Sequence, residues 1–369
     1  MDPIQMVDLK GQYLNIKEEI DTAIQQVIDS SAFINGPQVR ELKSELSKYQ
    51  SCKHTIPCAN GTDALQIALM ALDLQPGDEV IVPDFTFIAT AEVIALLKLK
   101  PVFVDVDRDT FLLDLQKVRE SVTNKTKAII PVHLYGQCVD MHELMNLATE
   151  RNIYVIEDNA QAFGADILFN GEWKKSGTVG HIGCTSFFPS KNLGCYGDGG
   201  AIFTNDNKLG EKLASIANHG AKVKYYHDDI GVNSRLDTIQ AAILKVKLNK
   251  IDEYNQARQK AAQVYDEVLA ECKSIIIPRR VEFSTHVFHQ YTLKVQERDK
   301  LKDYLNEKSI PAMIYYPVGM HNQHAYKTSG EFQNSDYLCN AVISLPMHTE
   351  LTFEQQLYIA NTVKEFYKK

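Results

Sequence analysis

The stretch Asn152-Ile-Tyr-Val-Ile-Glu-Asp158 is a short apolar run closed by two acids. A strand with one wet face alternates apolar and polar residues, whereas a run without alternation suits a parallel strand covered by helices on both faces. Its acids then stand at the carboxyl end of the strand, the edge at which open α/β sheets bind ligands.

Similar strand-like runs recur at 79–82, 102–106 and 128–132, beside the run at 153–156, with helical patterns between them at 90–97 and 141–150. Repeated β-α-β units of this kind specify an α/β fold with a mostly parallel central sheet flanked by helices. Upstream, Ile16, Ile20, Ile24 and Val27 recur at helical spacing and read as a packing face. After Asp237 a long helical pattern begins at Thr238, breaks near 248–251 and continues to about residue 269. Strand-like runs at 288–295 and 341–345 and a helical pattern at 353–367 follow. These divisions predict a large domain over 1–250 and a smaller C-terminal α+β domain over 251–369.

The composition, 44% hydrophobic and 23% charged over 369 residues, is that of a globular protein long enough for two domains. A formal charge of −8 argues against a broad nucleic-acid surface. No apolar run has the length of a membrane span, and the first residues lack the basic and apolar regions of a signal peptide. The seven cysteines are scattered and never spaced as Cys-x-x-Cys, the pattern of reduced thiols in a cytoplasmic protein. His286/His289 and His321/His324 have a spacing that could hold a metal on a helix, but no acid or cysteine accompanies them at ligand spacing, so no metal is expected.

Lys191 stands in Ser-Phe-Phe-Pro-Ser-Lys-Asn-Leu-Gly-Cys-Tyr-Gly-Asp-Gly-Gly, residues 186–200. Most lysines near a Gly-rich turn are solvated or close a helix, and an Asp after a strand is usually a cap. A lysine amine and a separate carboxylate are also what pyridoxal phosphate requires. The amine forms a Schiff base with the aldehyde, and the carboxylate keeps the pyridine nitrogen protonated so that the ring accepts the electrons of a substrate carbanion. Ala59-Asn-Gly-Thr-Asp-Ala-Leu65 offers a seat for the phosphate at the start of an apolar-periodic stretch running to about Leu74. Gly61 permits close approach, Thr62 offers a hydroxyl and the first helical amides point at an anion, although Thr62 or Asp63 as a plain cap needs no ligand.

The order of these segments resembles the pyridoxal-phosphate-dependent sugar aminotransferases of the DegT/DnrJ/EryC1/StrS group, which have the aspartate aminotransferase fold type. The likeness runs from Phe33-Ile-Asn-Gly-Pro37 through Asn60-Gly-Thr-Asp-Ala-Leu65, Pro76-Gly-Asp-Glu-Val80, Thr86-Phe-Ile-Ala-Thr90 and Glu157-Asp-Asn-Ala-Gln161 to Asn233-Ser-Arg-Leu-Asp237. The resemblance implies Lys191 as the Schiff-base lysine, Asp158 as the partner of the pyridine nitrogen and Gln161 as a contact to the ring hydroxyl. It implies Gly61, Thr62 and Ser186 as the phosphate cradle and Phe87 as the aromatic against the ring. Asn233 matches a residue that reaches the phosphate from the other subunit, which implies a homodimer with shared active sites. Relatives that are dehydratases carry histidine in place of the lysine, so Lys191 favours transfer. Where many relatives have alanine after the ring-binding acid, this chain has Asn159.

The resemblance further implies L-glutamate as amino donor and a nucleotide-linked keto sugar as acceptor. The 58–65 and 185–205 blocks look most like the branch that aminates C3 of UDP-2-acetamido-3-oxo-glucuronic acid; relatives also aminate C4 of 4-keto-6-deoxy sugars and C3 of dTDP-linked ones. On the substrate side Tyr315-Tyr316-Pro317 replaces the His-Tyr-Pro common in relatives, which removes one cationic partner for a sugar carboxylate. Arg235 is then a candidate anion clamp, or the partner of Asp237 in an ion pair. A different pyridoxal phosphate enzyme, such as a desulfurase with Cys195 as nucleophile, and a non-catalytic regulatory relative are the readings from other classes.

Overall fold

The computed structural model describes every residue except Met1, Lys327, Ser329 and Lys369. Its central sheet has seven strands in the order His54–Cys58, Gly200–Thr204, Ile182–Ser186, Tyr154–Asp158, Thr126–Ile129, Glu79–Pro83 and Lys100–Val104. The Gly200–Thr204 strand runs antiparallel to both of its neighbours, and every other adjacent pair is parallel. The sheet expected from the sequence is present.

The Tyr154–Asp158 strand shows why its sequence lacks alternation. Val155 packs with Ile81, Ile129, Met141 and Leu144 on one face of the sheet, while Ile156 packs with Val80, Val82, Leu65 and Leu69 on the other. Successive side chains point to opposite faces, and both faces are covered by helices, Met141–Arg151 on one and Gly61–Ala71 on the other. Each such side chain, fully buried, contributes about 1.5–3 kcal/mol.

A separate apolar cluster gathers Tyr265 and Leu269 of the Ile251–Leu269 helix, Leu293, Ile343 and Ile359. It is built on a three-stranded antiparallel sheet of Ile275–Ile276, Tyr291–Val295 and Val342–Leu345, covered by the terminal helix Phe353–Phe366. Ile4, from the other end of the chain, packs against this cluster.

Several boundaries differ from the sequence expectation, each for a local reason. The regular ladder of the fourth strand spans Thr126–Ile129 rather than 128–132, because Pro131 has no N–H to donate. The helix expected to reach Leu74 ends at Ala71, and Asp73 takes a left-handed φ of 54°. The strand expected from residue 288 starts at Tyr291, because Phe288 is left-handed with φ 46°. The third strand spans Lys100–Val104, two residues before its expected span, since Lys100 and Pro101 already pair with Glu79 and Val80. The break between the two long helices falls between Leu248 and Ile251, as the sequence indicated. No helix among the described residues is long and apolar enough to cross a membrane.

Candidate active site

The carboxyl ends of the parallel strands meet at one edge, and a cavity of about 650 Å³ opens there. Asp158 ends one strand, Ser186 ends the next, and the helix that starts at Gly61 follows the strand ending at Cys58. Register holds these ends together: Ser186 and Cys58 both stand opposite Gly200.

Gly61, Thr62, Phe87, Asp158, Gln161, Ser186, Lys191, Tyr315 and Tyr316 all line this cavity. Asn233 and Arg235 do not; Asn233 is exposed and bridges Asn218 instead. The ion pair weighed for Arg235 is absent among the described residues.

The expected phosphate seat is shaped by a close approach. A Cβ at Gly61 would stand 2.7 Å from Ser186 Cβ, so only glycine lets the helix start lie against that strand end. The Asn60 side chain caps Asp63 N at 2.8 Å, while the Gly61 and Thr62 amides have no helical acceptor and remain available to an anion.

Asp158 Oδ1 accepts from Ala160 N (3.1 Å) and Oδ2 from Thr90 Oγ1 (3.3 Å). Burial raises its pKa above the usual carboxylate value, opposed by the Ala160 amide and the Lys191 charge, so a cation placed against it would find a partly compensated acid. Burial brings the Lys191 amine down to about 8, against the pull of Asp158. An amine so tuned can both accept and release a proton near neutral pH. Gln161 is fixed at both ends, its Oε1 accepting from Tyr135 N (2.9 Å) and its Nε2 donating to Tyr316 Oη (3.1 Å). Phe87 stands 53% exposed beside the cavity, its ring centroid 6.3 Å from that of Tyr316.

Beneath Asp158 lies a wholly buried pair. His133 Nδ1 accepts from Val139 N (3.3 Å), which leaves Nε2–H to donate to Glu157 Oε2 at 2.9 Å. Glu157 also takes the amides of Gly177 (2.8 Å) and Val179 (2.7 Å), and His133 N donates to Asp158 O (3.0 Å), so the pair anchors the backbone that carries Asp158. Asn159 turns away from the cavity, its Nδ2 donating to Ser176 O at 3.0 Å.

The cavity has residues that sequence reasoning missed. Thr86, His289 and Gln290 line it, and each keeps a buried polar atom without a partner: Thr86 Oγ1, His289 Nδ1 and Gln290 Oε1. Buried polar atoms are rarely left so, and all three belong to residues that line the one cavity. Together with the free amides at Gly61, the acid at Asp158 and the amine of Lys191, they fit a phosphorylated, hydroxylated pyridine aldehyde. Among the described residues no group of three or more His, Cys, Asp and Glu could hold a metal ion. His286 stacks on Phe288 and accepts from its N–H, and His321 pairs with Asp84 at 2.8 Å.

The profile of the DegT/DnrJ/EryC1/StrS aminotransferase family matches residues 14–364. The chain belongs to that family. A protein of Geobacillus stearothermophilus called a pleiotropic regulatory protein is 46% identical over 371 residues, 99% of both chains. The UDP-2-acetamido-2-deoxy-3-oxo-D-glucuronate aminotransferase of Pseudomonas aeruginosa is 46% identical over 349 residues, 94% of this chain and 96% of its own. The structure of DesV from Streptomyces venezuelae in complex with a ketimine intermediate matches with a TM-score of 0.96 at 36% identity, over 100% of both chains. This DegT/DnrJ/EryC1/StrS member is an aminotransferase with the type I fold of the pyridoxal-phosphate-dependent enzymes.

Proposed function

We propose that the enzyme moves the amino group of L-glutamate to a nucleotide-linked keto sugar, UDP-2-acetamido-3-oxo-glucuronate being the first choice, for the sugars of a cell-surface polysaccharide or lipopolysaccharide. The observation that carries this reading is the Lys191 amine and the Asp158 carboxylate in one cavity, with the Gly61–Ser186 seat beside them. The substrate choice draws support from the acceptor named for the Pseudomonas aeruginosa relative.

Lys191, Asp158, Gln161, Gly61, Thr62, Ser186 and Phe87 would hold the cofactor. When bound, pyridoxal phosphate supplies an aldehyde that carries the amino group and a ring that accepts an electron pair. Burial raises the Asp158 pKa, and a protonated ring nitrogen held against the carboxylate would oppose that rise and favour its ionised form. Lys191 Nζ, once released, takes the proton from the donor α-carbon and later gives it back, which its value of about 8 permits. Phe87, Tyr315 and Tyr316 give the cavity an aromatic wall.

Glutamate brings two carboxylates and the preferred sugar a third, yet Lys191 is the only lysine or arginine among the described residues lining the cavity of one chain. Arg235 and Asn233 of a second copy complete the site in a homodimer, which accounts for their position outside the cavity of their own chain. Seven free thiols, most of them buried, suit a protein that works in the cytoplasm, where L-glutamate is abundant.

The test loads the protein with pyridoxal phosphate, adds L-glutamate, removes the donor and offers a panel of UDP- and dTDP-keto sugars under mass spectrometry. Conversion of one sugar to its amine names the acceptor. A 4-keto-6-deoxy or dTDP-3-keto sugar is the second reading, favoured by the neutral Tyr315 phenol at the sugar side of the cavity. The regulatory label of the Geobacillus stearothermophilus relative raises a non-catalytic role, and an intact Lys191–Asp158 pair weighs against it. No conversion of any sugar and no reaction with glutamate would support that role instead.

A further inference from the structure

The residue after the candidate lysine ties two distant parts of the chain together. Asn192 Nδ2 donates to Val287 O at 2.9 Å and to Asn255 Oδ1 at 2.7 Å, docking the 286–290 segment against the Lys191 turn. Val287 N donates to Gly136 O (2.9 Å), Gln290 N to Tyr135 O (3.2 Å) and Phe288 N to His286 Nδ1 (3.0 Å). Arg258, buried and with no carboxylate partner among the described residues, gathers Phe288 O (3.1 Å), His289 O (3.4 Å) and Met347 O (2.9 Å) on one nitrogen. Gly136 makes room: a Cβ there would stand 2.8 Å from Phe288 N and 2.9 Å from His289 N.

These bonds hold a costly conformation. Phe288 has φ 46°, a region that an aromatic L-residue adopts only when its surroundings impose it, and such positions gather at functional sites. What the turn presents to the cavity is His289. It is 6% exposed, its Nδ1 is wholly buried and, among the described residues, neither ring nitrogen has a hydrogen-bond partner. Burial first, then the charges of Lys191 and Arg258, hold its pKa well below the usual histidine value, so the ring keeps a lone pair for an N–H donor. Gln161 and Tyr316, also in the cavity, are already bonded to each other. Among the described residues the Lys191 amine has no hydrogen-bond partner.

We propose that His289 is a positioning residue for Lys191: its ring nitrogen accepts a hydrogen bond from the amine when that amine is not bound to the cofactor, and so fixes where the amine points. This rests on the reading of Lys191 as the amine that holds the cofactor. The ring itself does not touch the reacting carbon. It keeps Nζ on the side from which a proton is taken and returned.

The first measurement uses cofactor-free protein, so it is independent of turnover. Cyanate carbamylates an unprotonated amine, and peptide mass spectrometry follows Lys191 across pH, with a wild-type midpoint of about 8. An acceptor favours the ammonium form, so His289→Leu moves the midpoint to lower pH, while His289→Gln, which keeps an acceptor, holds it near wild type. In the loaded enzyme, the reaction with L-glutamate alone slows about tenfold in His289→Leu and recovers in His289→Gln, both measured at saturating cofactor. An unchanged midpoint and rate in His289→Leu overturn the proposal. Equal defects in the two variants also overturn it, since the ring then only fills space. A further measurement needs no variant: in protein labelled with nitrogen-15 histidine, carbamylating Lys191 must shift the His289 ring signals, and signals that stay in place refute the contact. Wild-type protein that never links pyridoxal phosphate to Lys191 marks failure of the underlying reading, while the cyanate and nitrogen-15 results still judge His289.

Discussion

On the sheet side of the cavity Asp158 accepts two hydrogen bonds and Gln161 is held at both ends, whereas on the C-terminal side His289 and Gln290 keep buried polar atoms that no described residue satisfies. On the sheet side these two groups are already bonded before any ligand arrives, while the Lys191 amine and the Gly61 and Thr62 amides are kept open. The C-terminal side is finished by what binds. A cofactor bound tightly and kept through many turnovers profits from groups preorganised by secondary structure, because no reorganisation is spent at each cycle. Groups that meet a moving amine and exchanging substrates must offer capacity that is not already taken. Thr86, on the sheet side, is the exception with its unpaired Oγ1, and it neighbours Phe87, where the cofactor ring is expected to lie.

If the contrast is real, the largest losses come from the sheet side. Lys191→Ala is expected to lower turnover by about a thousandfold or more while still binding cofactor, measured by steady-state amination and by cofactor retained on a desalting column. Near wild-type turnover in that variant would end the reading of the site. Asp158→Asn is expected to keep the cofactor but lose roughly a hundredfold in rate, since a neutral partner no longer holds the ring nitrogen protonated. If its turnover is unchanged, another group protonates the ring.

The two sides also differ in how much of them the sequence showed. The Tyr154–Asp158 strand, the helix start at Gly61 and the Lys191 turn are each contiguous, and each carries its chemistry beside its structural signal: an apolar run, a cap, a Gly-rich turn. The strands Ile182–Ser186 and Gly200–Thr204 that frame Lys191 carry weaker signals, since Thr185 and Ser186 close the first and glycine opens the second. The C-terminal side is assembled from Tyr135, His289, Gln290, Tyr315 and Tyr316, which meet only through tertiary packing. Nothing local marks Phe288 as left-handed, because that conformation is imposed by Arg258, His286 and Gly136. A histidine after such a residue reads as a strand position. Asn233 and Arg235 match a motif, yet neither lines the cavity of its own chain, and only the proposed homodimer would bring them to a site.

A smaller effect probes the shared site. Asn233→Ala is expected to weaken cofactor binding about tenfold, and a refolded mixture of Asn233→Ala and Lys191→Ala chains is expected to regain activity. In the mixed dimer one site takes Lys191 from one chain and Asn233 from the other, so it has every group. Should heterodimers form, as shown by mass, and activity never exceed the sum of the separate mutants, Asn233 acts within its own chain.

The smallest expected effect separates the two sides most cleanly. Tyr315→His replaces a phenol on the expected sugar side by a ring that can carry charge, and among the described residues the Tyr315 side chain makes no hydrogen bond to Lys191 or Asp158. The reaction with L-glutamate alone should therefore keep its rate, because that half of the cycle depends on Lys191 and Asp158. The KM for a carboxylated keto sugar should fall severalfold below pH 6.5, where an ordinary imidazole is charged, and the KM for a neutral keto sugar should not follow it. The sign follows from charge: protonation adds attraction for a carboxylate and nothing for a hydroxymethyl group, so the gain appears as pH falls and is lost as it rises. Steady-state kinetics with both sugars across pH measures the split. A drop in the glutamate half-reaction of the same size as the change in sugar KM would mean that the two sides of the cavity act as one unit, and the contrast between them would not hold.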